Sequence, residues 1–434
     1  MPLSLVAAPA AAGNRSEPQR AATGAELTGL LAPQAMPQRA SRNSLRIPGV
    51  RAIGNVSPQS FGIHSYTTDP LVSAGAFRLN CAPRWNQLHV GPGKFKWGAM
   101  EDLLSRSERF GIKNVLFTFC GTPTWAARKP LPRPDVIPYW GKYGSAAPAN
   151  MSSWREFVNA FVIRFGSRIS AYEAWNEATS PYLWQGSAAE MAEMTKILHD
   201  AVRAHDPTGI VVSADSQTAE QSAWFNSFFP AYMKQLARRG WPVDAVSIHT
   251  YAGAPDTDPA VGIVKRASVL QGIVAAMRKA KVPRRVQLWD TETNYLGKAK
   301  SRRMQQALIA RTYLDSWRFG VERTYWYMWQ DRTDKWLGVQ MKRGATSVPT
   351  YNTLARWTVG ARFSGCVDKY GAQLCRFKKS GRKFTIAYTS GLAKRTLPLR
   401  GKATVCDVHN DRCSKERRSL RLTIRPVKIS GRIG

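Results

Sequence analysis

The segment SWREFVNAFVIRFGSRISAYEAWNE, residues 153–177, contains two kinds of hydrophobic repeat in immediate succession. In its first part apolar residues recur at spacings of three and four, which predicts an amphipathic helix. The apolar positions are Trp154, Phe157, Val158, Phe161, Val162 and Phe165. Ser153 and Glu156 have the spacing of a capping box, and Gly166 is suited to end the helix. A strand-like run follows at residues 169–175, so the segment predicts a helix that leads into a strand.

The same alternation of strands and helices extends over residues 61–330. Eight short apolar or β-branched runs are separated by helical patterns, which is typical of parallel β/α units. The candidate strands are FGIHS (61–65), AFRLN (76–80), NVLFTF (114–119), ISAYEAW (169–175), IVVSAD (210–215), DAVSIHT (244–250), VQLWDTE (286–292) and RTYWYMW (323–329). Eight such units predict a closed (β/α)8 TIM barrel. About ten residues join the first two strands, too few for a full crossover, so the first helix should be short or missing.

The two ends of the chain differ in composition from this central part. Residues 1–48 are rich in Ala, Pro, Gln, Ser and Arg without a hydrophobic period, so we interpret them as a disordered leader or linker. Residues 3–12, LSLVAAPAAA, resemble an export signal, although no basic residue precedes them. We assign residues 49–361 to the barrel and residues 362–434 to a small β-rich domain. Its candidate strands are QLCRFKK (373–379), KFTIAYT (383–389), ATVCDV (403–408) and LRLTIRPVKI (420–429).

Four of the six cysteines lie in the last 69 residues as two closely spaced pairs. They are Cys366 with Cys375, and Cys406 with Cys413. Each pair flanks a turn-like segment, which predicts two local disulfides. A zinc site is the alternative, but the spacing is not C-x-x-C and His409 would be the only nearby imidazole. Cys81 and Cys120 end neighbouring strands and could form a third disulfide or remain buried thiols. Disulfides favour an oxidising compartment, so we expect a secreted or cell-envelope protein.

The formal net charge is +34, from 63 Lys and Arg against 29 Asp and Glu. Such a surplus attracts anionic partners at long range, although a basic solvated surface without a selected partner is the alternative. Residues 361–434 hold 19 Lys and Arg against 4 Asp and Glu. No zinc-finger, helix-turn-helix or RNA-binding signature accompanies them, so an acidic polysaccharide is a better candidate than nucleic acid. The sequence contains no run of 18 apolar residues and predicts no transmembrane segment. It does not indicate an oligomeric state.

Polar residues that follow the strands of such a barrel face a common mouth. Glu177 follows the fourth candidate strand, and Glu292 ends the seventh. Two carboxylates across a mouth suit retaining glycoside hydrolysis, in which one protonates the departing oxygen and the other attacks the anomeric carbon. Either glutamate taken alone could instead neutralise a basic residue. Arg78, His249 and Tyr251 are candidate hydrogen-bond donors near the nucleophile. No cofactor is indicated, and no metal, because no second His or Cys at ligand spacing accompanies His249.

Two of these segments, AWNEA (174–178) and WDTETN (289–294), resemble the active-site signatures of clan A glycoside hydrolases. Further stretches resemble bacterial family 39 glycosidases, and together the similarity covers roughly residues 61–361. These stretches are GTPTWAA (121–127), residues 153–177 and TYWYMWQD (324–331). The resemblance implies a retaining β-type glycosidase with a small β-domain beside the barrel. Its substrate would be a polysaccharide or oligosaccharide.

By this resemblance Glu177 is the acid/base and Glu292 is the nucleophile. Asn176 would hold the sugar hydroxyl beside the reacting carbon, and Arg78 matches an arginine common in the clan. The alternative from another class is a non-catalytic protein that binds acidic polysaccharide or nucleic acid on a glycosidase-like barrel. The presence of both glutamates argues against this alternative.

Tryptophans near the strand ends are candidate platforms for sugar rings, whose C–H faces pack well on indole surfaces. Trp125 follows the third candidate strand. On the eighth strand the side chains of Trp326 and Trp329 belong to opposite faces, because side chains alternate along a strand. The family pattern favours Trp326 as the platform, with Trp329 as the alternative.

Overall fold

The computed structural model of the chain describes residues 53–65, 70, 72–217, 222–252, 259–297, 301–330 and 337–434. The predicted leader of residues 1–48 lies outside the described residues. The first ten strands are β1 (Phe61–Ser65), β2 (Ala76–Asn80), β3 (His89–Gly91), β4 (Lys94–Phe95), β5 (Val115–Thr118), β6 (Ala171–Glu173), β7 (Ile210–Val212), β8 (Ala245–Ala252), β9 (Gln287–Tyr295) and β10 (Val321–Trp329). The helices are α1 (Trp85–Leu88), α2 (Gly98–Arg109), α3 (Met151–Phe165), α4 (Ala188–His205), α5 (Ser222–Arg238), α6 (Pro259–Lys279), α7 (Arg302–Arg318) and α8 (Ser347–Thr358).

Eight of these strands form a closed parallel barrel, which confirms the predicted (β/α)8 TIM barrel. Around the barrel the order is β1, β10, β9, β8, β7, β6, β5 and β2, while β3 and β4 pair with each other. All eight predicted strands are present, with ends that differ by up to three residues. Residues 70 and 72–75, the described part of the connection between β1 and β2, include no helix.

Helix α3 has the predicted buried face, because all six apolar positions of its stripe are buried. Burying one such side chain stabilises a fold by about 1.5–3 kcal/mol. Gly166 ends the helix as predicted, but the predicted capping box is wrong. Asn150 is the residue that caps it, accepting a hydrogen bond from the Ser152 N–H at 2.9 Å. The Glu156 side chain instead accepts a hydrogen bond from the Gly93 N–H at 2.6 Å, because the helix begins two residues before Ser153.

The C-terminal part of the chain forms an antiparallel sheet, as predicted. Its strands are β11 (Arg362–Lys369), β12 (Ala372–Lys379), β13 (Arg382–Thr389), β14 (Arg395–Asp407), β15 (Cys413–Glu416), β16 (Ser419–Leu422) and β17 (Val427–Ile433). Their order is β11, β12, β13, β17, β14 and β15, with β16 paired to β14. The single strand predicted at residues 420–429 is two strands, β16 and β17. Pro426 lies between them, where its missing N–H prevents a regular ladder.

The C-terminal sheet packs on the outer side of the barrel at α7. Phe363 and Phe377 lie with ring centroids 6.4 and 6.0 Å from that of Trp317, and they share one apolar cluster with the barrel core. The Tyr388 hydroxyl donates a hydrogen bond to Asp315 at 2.9 Å. The division of the chain into domains at residues 48 and 361 stays a prediction.

Three disulfides link the six cysteines. Cys366–Cys375 and Cys406–Cys413 confirm the two predicted local disulfides, so these sulfurs are not zinc ligands. Cys81–Cys120 settles the open alternative in favour of a disulfide and joins the chain just after β2 to the chain just after β5. In the described part of the chain, no helix is long and apolar enough to cross a membrane.

Candidate active site

The carboxyl ends of β2, β6, β7, β8 and β9 bring a cluster of polar side chains together at one end of the barrel. This placement follows from the parallel topology, since all the strands end at the same mouth. The cluster consists of Arg78, Asn80, Glu173, Asn176, Glu177, Asp215, His249, Tyr251 and Glu292. Six of these residues are predicted from the sequence: Arg78, Asn176, Glu177, His249, Tyr251 and Glu292.

Glu177 and Glu292 lie next to each other in this cluster. One carboxylate oxygen of each, together with one nitrogen of His249, falls within 4.8 Å of one another. The two side chains retain only small exposed fractions, 14% for Glu177 and 10% for Glu292. Retaining glycosidases hold their carboxyl groups about 5–5.5 Å apart, whereas inverting ones need about 6.5–9.5 Å to admit a water. The oxygens of Glu177 and Glu292 that lie within 4.8 Å place both carboxyl groups at one site.

Three donors surround the Glu292 carboxylate. Arg78 Nη1 and Asn80 Nδ2 donate to Oε2 at 2.6 and 3.3 Å, and the Tyr251 hydroxyl donates to Oε1 at 2.7 Å. Burial alone would raise the pKa of Glu292, but the charges of His249 and Arg78 outweigh burial and lower that pKa. Burial also raises the pKa of Tyr251 well above its ordinary value, so this hydroxyl remains a donor. Glu292 is therefore ionised at neutral pH, the state that a nucleophile needs.

The guanidinium of Arg78 holds three buried carboxylates. It bonds Glu173 Oε2 from Nε and Nη2 at 3.0 and 2.8 Å, Glu292 Oε2 from Nη1, and Asp215 Oδ2 from Nη2 at 3.3 Å. Nη2 also donates to Asn176 Oδ1 at 3.0 Å. Burial would lower the pKa of Arg78, but Glu173, Glu292 and Asp215 raise it far above the ordinary value. Arg78 is thus a permanent cation that binds β2, β6, β7 and β9 together at the mouth.

Glu177 is held at its backbone and at its side chain. Its φ of +46° lies in the left-handed region, which is unfavourable for residues with a β-carbon and is concentrated at functional sites. Asp215 Oδ1 accepts the Glu177 N–H at 2.7 Å, and His249 Nδ1 lies 2.9 Å from Glu177 Oε1. Burial would lower the pKa of His249, but Asp215 and Glu292 raise it well above the ordinary value. His249 is therefore a cation at neutral pH that donates from both ring nitrogens.

The sequence analysis missed two carboxylates of the cluster, Glu173 and Asp215. Glu173 is fully buried and accepts hydrogen bonds from Thr118 and Ser247, each at 2.6 Å, besides those from Arg78. Asp215 is also fully buried. Both lie inside predicted strand runs, where an acidic residue is itself a signal because a buried carboxylate requires partners.

The structure contradicts the prediction that Trp326 is a sugar platform. Its side chain is 0% exposed and packs 6.5 Å from Tyr295, whose hydroxyl bonds Thr312 on α7. Trp326 therefore fills the layer between the barrel and its helices. The alternative, Trp329, is 2% exposed and belongs to the same apolar cluster, so it presents no open face either.

Tyr327 is the aromatic residue of β10 that lies near the side chains around Glu292. The ring of Tyr327 lies 6.3 Å from that of Tyr251, which donates to Glu292, and 4.8 Å from that of His64. Trp125 is 36% exposed, and its indole N–H donates to the His89 carbonyl at 3.1 Å. Among the described residues, no hydrogen bond or ring contact joins Trp125 to the carboxylate cluster. Its role in binding a sugar stays a prediction.

Two sets of side chains at the mouth have donor atoms close enough to hold a cation. They are Glu173, Asp215 and His249, and Glu177, His249 and Glu292, with donor atoms within 4.8 Å in each set. Arg78 already lies within 3.3 Å of three of these carboxylates. A metal ion in either set would compete with Arg78 and His249 for the same oxygen atoms.

Comparisons with known proteins agree with this architecture. No protein-family model matches the sequence, and no curated protein matches it. A family 39 glycoside hydrolase from Bacteroides cellulosilyticus WH2 matches with a TM-score of 0.64 and 17% identity, over 89% of this chain and 82% of that one. A family 44 endoglucanase from Clostridium acetobutylium ATCC 824 matches with a TM-score of 0.58 and 14% identity, over 87% and 97% of the two chains. A GH30 endoxylanase from Clostridium papyrosolvens C71 matches with a TM-score of 0.56 and 11% identity, over 88% of this chain and 98% of that one. The chain therefore has the fold of clan A glycoside hydrolases.

Proposed function

We propose that this protein is a retaining glycoside hydrolase that cleaves a β-type glycosidic bond in a polysaccharide or oligosaccharide. The observation that carries the proposal is the pair Glu177 and Glu292 at the barrel mouth, with one oxygen of each within 4.8 Å. The lowered pKa of Glu292 suits a nucleophile. The similar solved structures are named as glycoside hydrolases, which supports the reaction class.

The reaction has two steps. First the Glu292 carboxylate attacks the anomeric carbon while Glu177 gives its proton to the departing oxygen, so the glycosidic C–O bond breaks and an alcohol leaves. Glu177, now a carboxylate, then takes a proton from a water that attacks the same carbon and releases Glu292. Two inversions give net retention. Asn176 Oδ1 is fixed by Arg78, and no described residue bonds its Nδ2, which would donate to the neighbouring sugar hydroxyl.

The stereochemistry of the first product tests this proposal directly. The protein would be screened against neutral and acidic polysaccharides, with products identified by mass. Hydrolysis of an active substrate would then be followed by ¹H NMR at early times, before the released sugar mutarotates. We expect the β-anomer to appear first, and initial release of the α-anomer would contradict double displacement.

Replacing the acid/base should affect substrates according to their leaving groups. We expect Glu177→Ala to reduce turnover of substrates with poor leaving groups by about 10²–10⁴-fold, because general acid catalysis contributes that much. The first step on activated aryl glycosides should be nearly unchanged, since their leaving groups need no protonation. Pre-steady-state release of the aryl alcohol measures that step. Equal losses on both substrate types would rule out this role for Glu177.

We also propose that the polymer is anionic and binds the C-terminal sheet. Arg362, Lys378 and Lys383 pair side by side across β11, β12 and β13, and all three are exposed. Arg376 lies on the same face two residues from Lys378, and it is exposed as well. Like charges directly opposite on neighbouring strands are destabilising. In the described part of the chain none of these four cations has an acidic partner, so an external polyanion would relieve the repulsion.

We call Arg362, Arg376, Lys378 and Lys383 the cationic row. Raising the salt concentration should separate polymer binding at the cationic row from hydrolysis at the barrel mouth. We expect polymer hydrolysis to weaken steeply as salt rises, because binding a polyanion releases its counterions. Turnover of a small neutral aryl glycoside should barely change. The variant R362E/R376E/K378E/K383E should reproduce the selective loss without added salt.

A matched control reverses four scattered exposed cations of the barrel, Lys94, Lys113, Lys279 and Arg284. If the two variants behave alike, the cationic row has no binding role and the charge is a solvated surface. Tighter binding of duplex DNA than of any acidic glycan, with no hydrolysis, would favour the binding-protein alternative.

We further propose a secreted or cell-envelope location. The three disulfides support it, since disulfides persist mainly in oxidising compartments.

A further inference from the structure

The Asp215 carboxylate is connected to Glu177 by two separate routes. Its Oδ1 accepts the Glu177 N–H at 2.7 Å. Its Oδ2 lies 3.1 Å from His249 Nε2, and His249 Nδ1 in turn lies 2.9 Å from Glu177 Oε1. Asp215 also bonds the neighbouring backbone, through its N–H to the Trp175 carbonyl and its carbonyl to the Ala178 N–H. The Asp215 carboxylate thus contacts the Glu177 backbone directly and the Glu177 side chain through the His249 imidazole.

The two oxygens of Glu177 have different surroundings as a result. Oε1 lies against His249 Nδ1, whereas Oε2 makes no hydrogen bond with any described residue. An oxygen that accepts an N–H bond is a poor site for a proton, because the donor would face the added hydrogen. The proton that Glu177 delivers would therefore reside on Oε2, the oxygen left open to a substrate.

We propose that Asp215 and His249 are positioning residues that fix Glu177 at both its backbone and its Oε1, so that Oε2 alone exchanges protons with the glycosidic oxygen. This inference rests on the proposed function. It gives a catalytic positioning role to Asp215, a fully buried carboxylate that follows β7. The left-handed φ of Glu177 is maintained by the hydrogen bond to Asp215 Oδ1.

The charges around Asp215 and His249 support their role as positioning residues for Glu177. Asp215 and Glu292 raise the pKa of His249 against the effect of burial, so Nε2 and Nδ1 both carry hydrogens at neutral pH. Burial raises the pKa of Asp215, while His249 opposes that rise. The ionisable groups that face Asp215 or His249 from the other elements are His64, Arg78, Glu173, Glu177, Tyr232, Asp290 and Glu292. Besides Glu177, Arg78 lies within hydrogen-bond distance of both Asp215 and His249.

The kinetic test is Asp215→Asn. The new amide keeps an oxygen for the Glu177 N–H but presents an N–H toward His249 Nε2, so the imidazole cannot remain doubly protonated in its present place. We expect kcat on a poor leaving group to fall about 10- to 100-fold, part of what general acid catalysis contributes, with KM within about threefold. The pre-steady-state release from an activated aryl glycoside should change less than about threefold.

Asp290→Asn is the matched control. Asp290 is also fully buried, accepts a backbone N–H from Thr250 at 3.1 Å and pairs with Arg266, but it has no contact with Glu177. This variant should lose stability in thermal unfolding and keep the wild-type ratio of rates on the two substrates. If Asp215→Asn folds and either retains full activity or loses both activities equally, Asp215 is not a positioning residue for Glu177.

A second readout does not depend on activity. The imidazole ¹⁵N signals of His249, identified by their loss in His249→Gln, should report a doubly protonated ring above pH 7 in wild type. In Asp215→Asn the same ring should become neutral at lower pH, because the carboxylate that stabilises its charge is gone. An unchanged titration would overturn the proposal. If the titration shifts but wild type hydrolyses no glycoside, the His249–Asp215 contact stands and the proposed function fails.

Discussion

Glu292→Ala should abolish turnover, with a loss on the order of 10⁴-fold or more, as found when a covalent nucleophile is removed. The variant lacks the atom that forms the glycosyl–enzyme bond, while Arg78, Asn80 and Tyr251 still point into the space it vacates. Glu292→Gln should be nearly as inactive, although it restores the shape of the side chain. Both rates would be measured on an activated aryl glycoside, where leaving-group protonation does not limit the reaction.

Azide provides the decisive control for this assignment. A small anion can occupy the space left by Glu292→Ala and attack the anomeric carbon once, so the product should be the α-glycosyl azide. Glu177→Ala should instead yield the β-azide, because azide there replaces water in the second step. Glu101→Ala, at a half-buried position on α2 that pairs with Arg164, serves as the unrelated glutamate and should keep full activity. Near-normal turnover by Glu292→Ala would show that the nucleophile is misassigned.

Of the substitutions named here, Arg78→Met should lower the free energy of unfolding most, by about 3–5 kcal/mol at neutral pH. A loss of this size is expected when one partner of a buried ionic network is removed. Glu173, Asp215 and Glu292 would remain at the mouth without the cation that now contacts all three. Denaturant unfolding measures the effect. The surface pair Arg164–Glu101 offers a control, since Arg164→Met should cost less than about 1 kcal/mol.

The loss of unfolding free energy caused by Arg78→Met should become smaller as the pH falls. Without Arg78 the pKa values of Asp215 and Glu292 rise in the folded state above their values in the unfolded chain, because the cation that opposes the effect of burial is gone. The folded variant then binds protons more tightly than the unfolded one, so its stability improves relative to wild type as pH falls from about 7 to about 5. If Arg78→Met does not fold, Arg78→Lys keeps the charge and should show a smaller loss with the same trend. A loss that is independent of pH would mean that Arg78 acts through packing alone.

Local patterns were sufficient to predict the barrel strands and the position of Glu177 and Glu292 at the barrel mouth. The strands are short apolar runs at regular intervals, and Glu177 and Glu292 each lie at the end of one, where a parallel barrel collects its polar groups. Glu173 and Asp215 lie within the predicted strand runs 169–175 and 210–215 and reach the same mouth. Their importance comes from contacts with Arg78 and His249, which are distant in sequence, so no local pattern could rank them.

Strand alternation did not decide which face of the eighth strand meets the mouth, and the family pattern favoured the face of Trp326. Alternation along the strand assumes a constant register, but the pairing of β10 shifts between Thr324 and Trp326 on one side and between Ile63 and Ser65 on the other. Such shifts change which face a side chain occupies. Trp326 lies toward the helices, and Tyr327, on the opposite face, lies near Tyr251.

The apolar cluster that joins the C-terminal sheet to the barrel limits how the protein could be divided. Phe363, Phe377 and Tyr388 belong to the same core as Trp317 on α7, so the sheet completes the burial of that helix. In a barrel produced without the sheet, the α7 surface and the carboxylate of Asp315 would face solvent. Recombination that exchanged this sheet for an unrelated module would have to rebuild the outer surface of α7. Substitutions on the basic outer face of the sheet should therefore be tolerated far better than substitutions on its apolar inner face, which packs against α7.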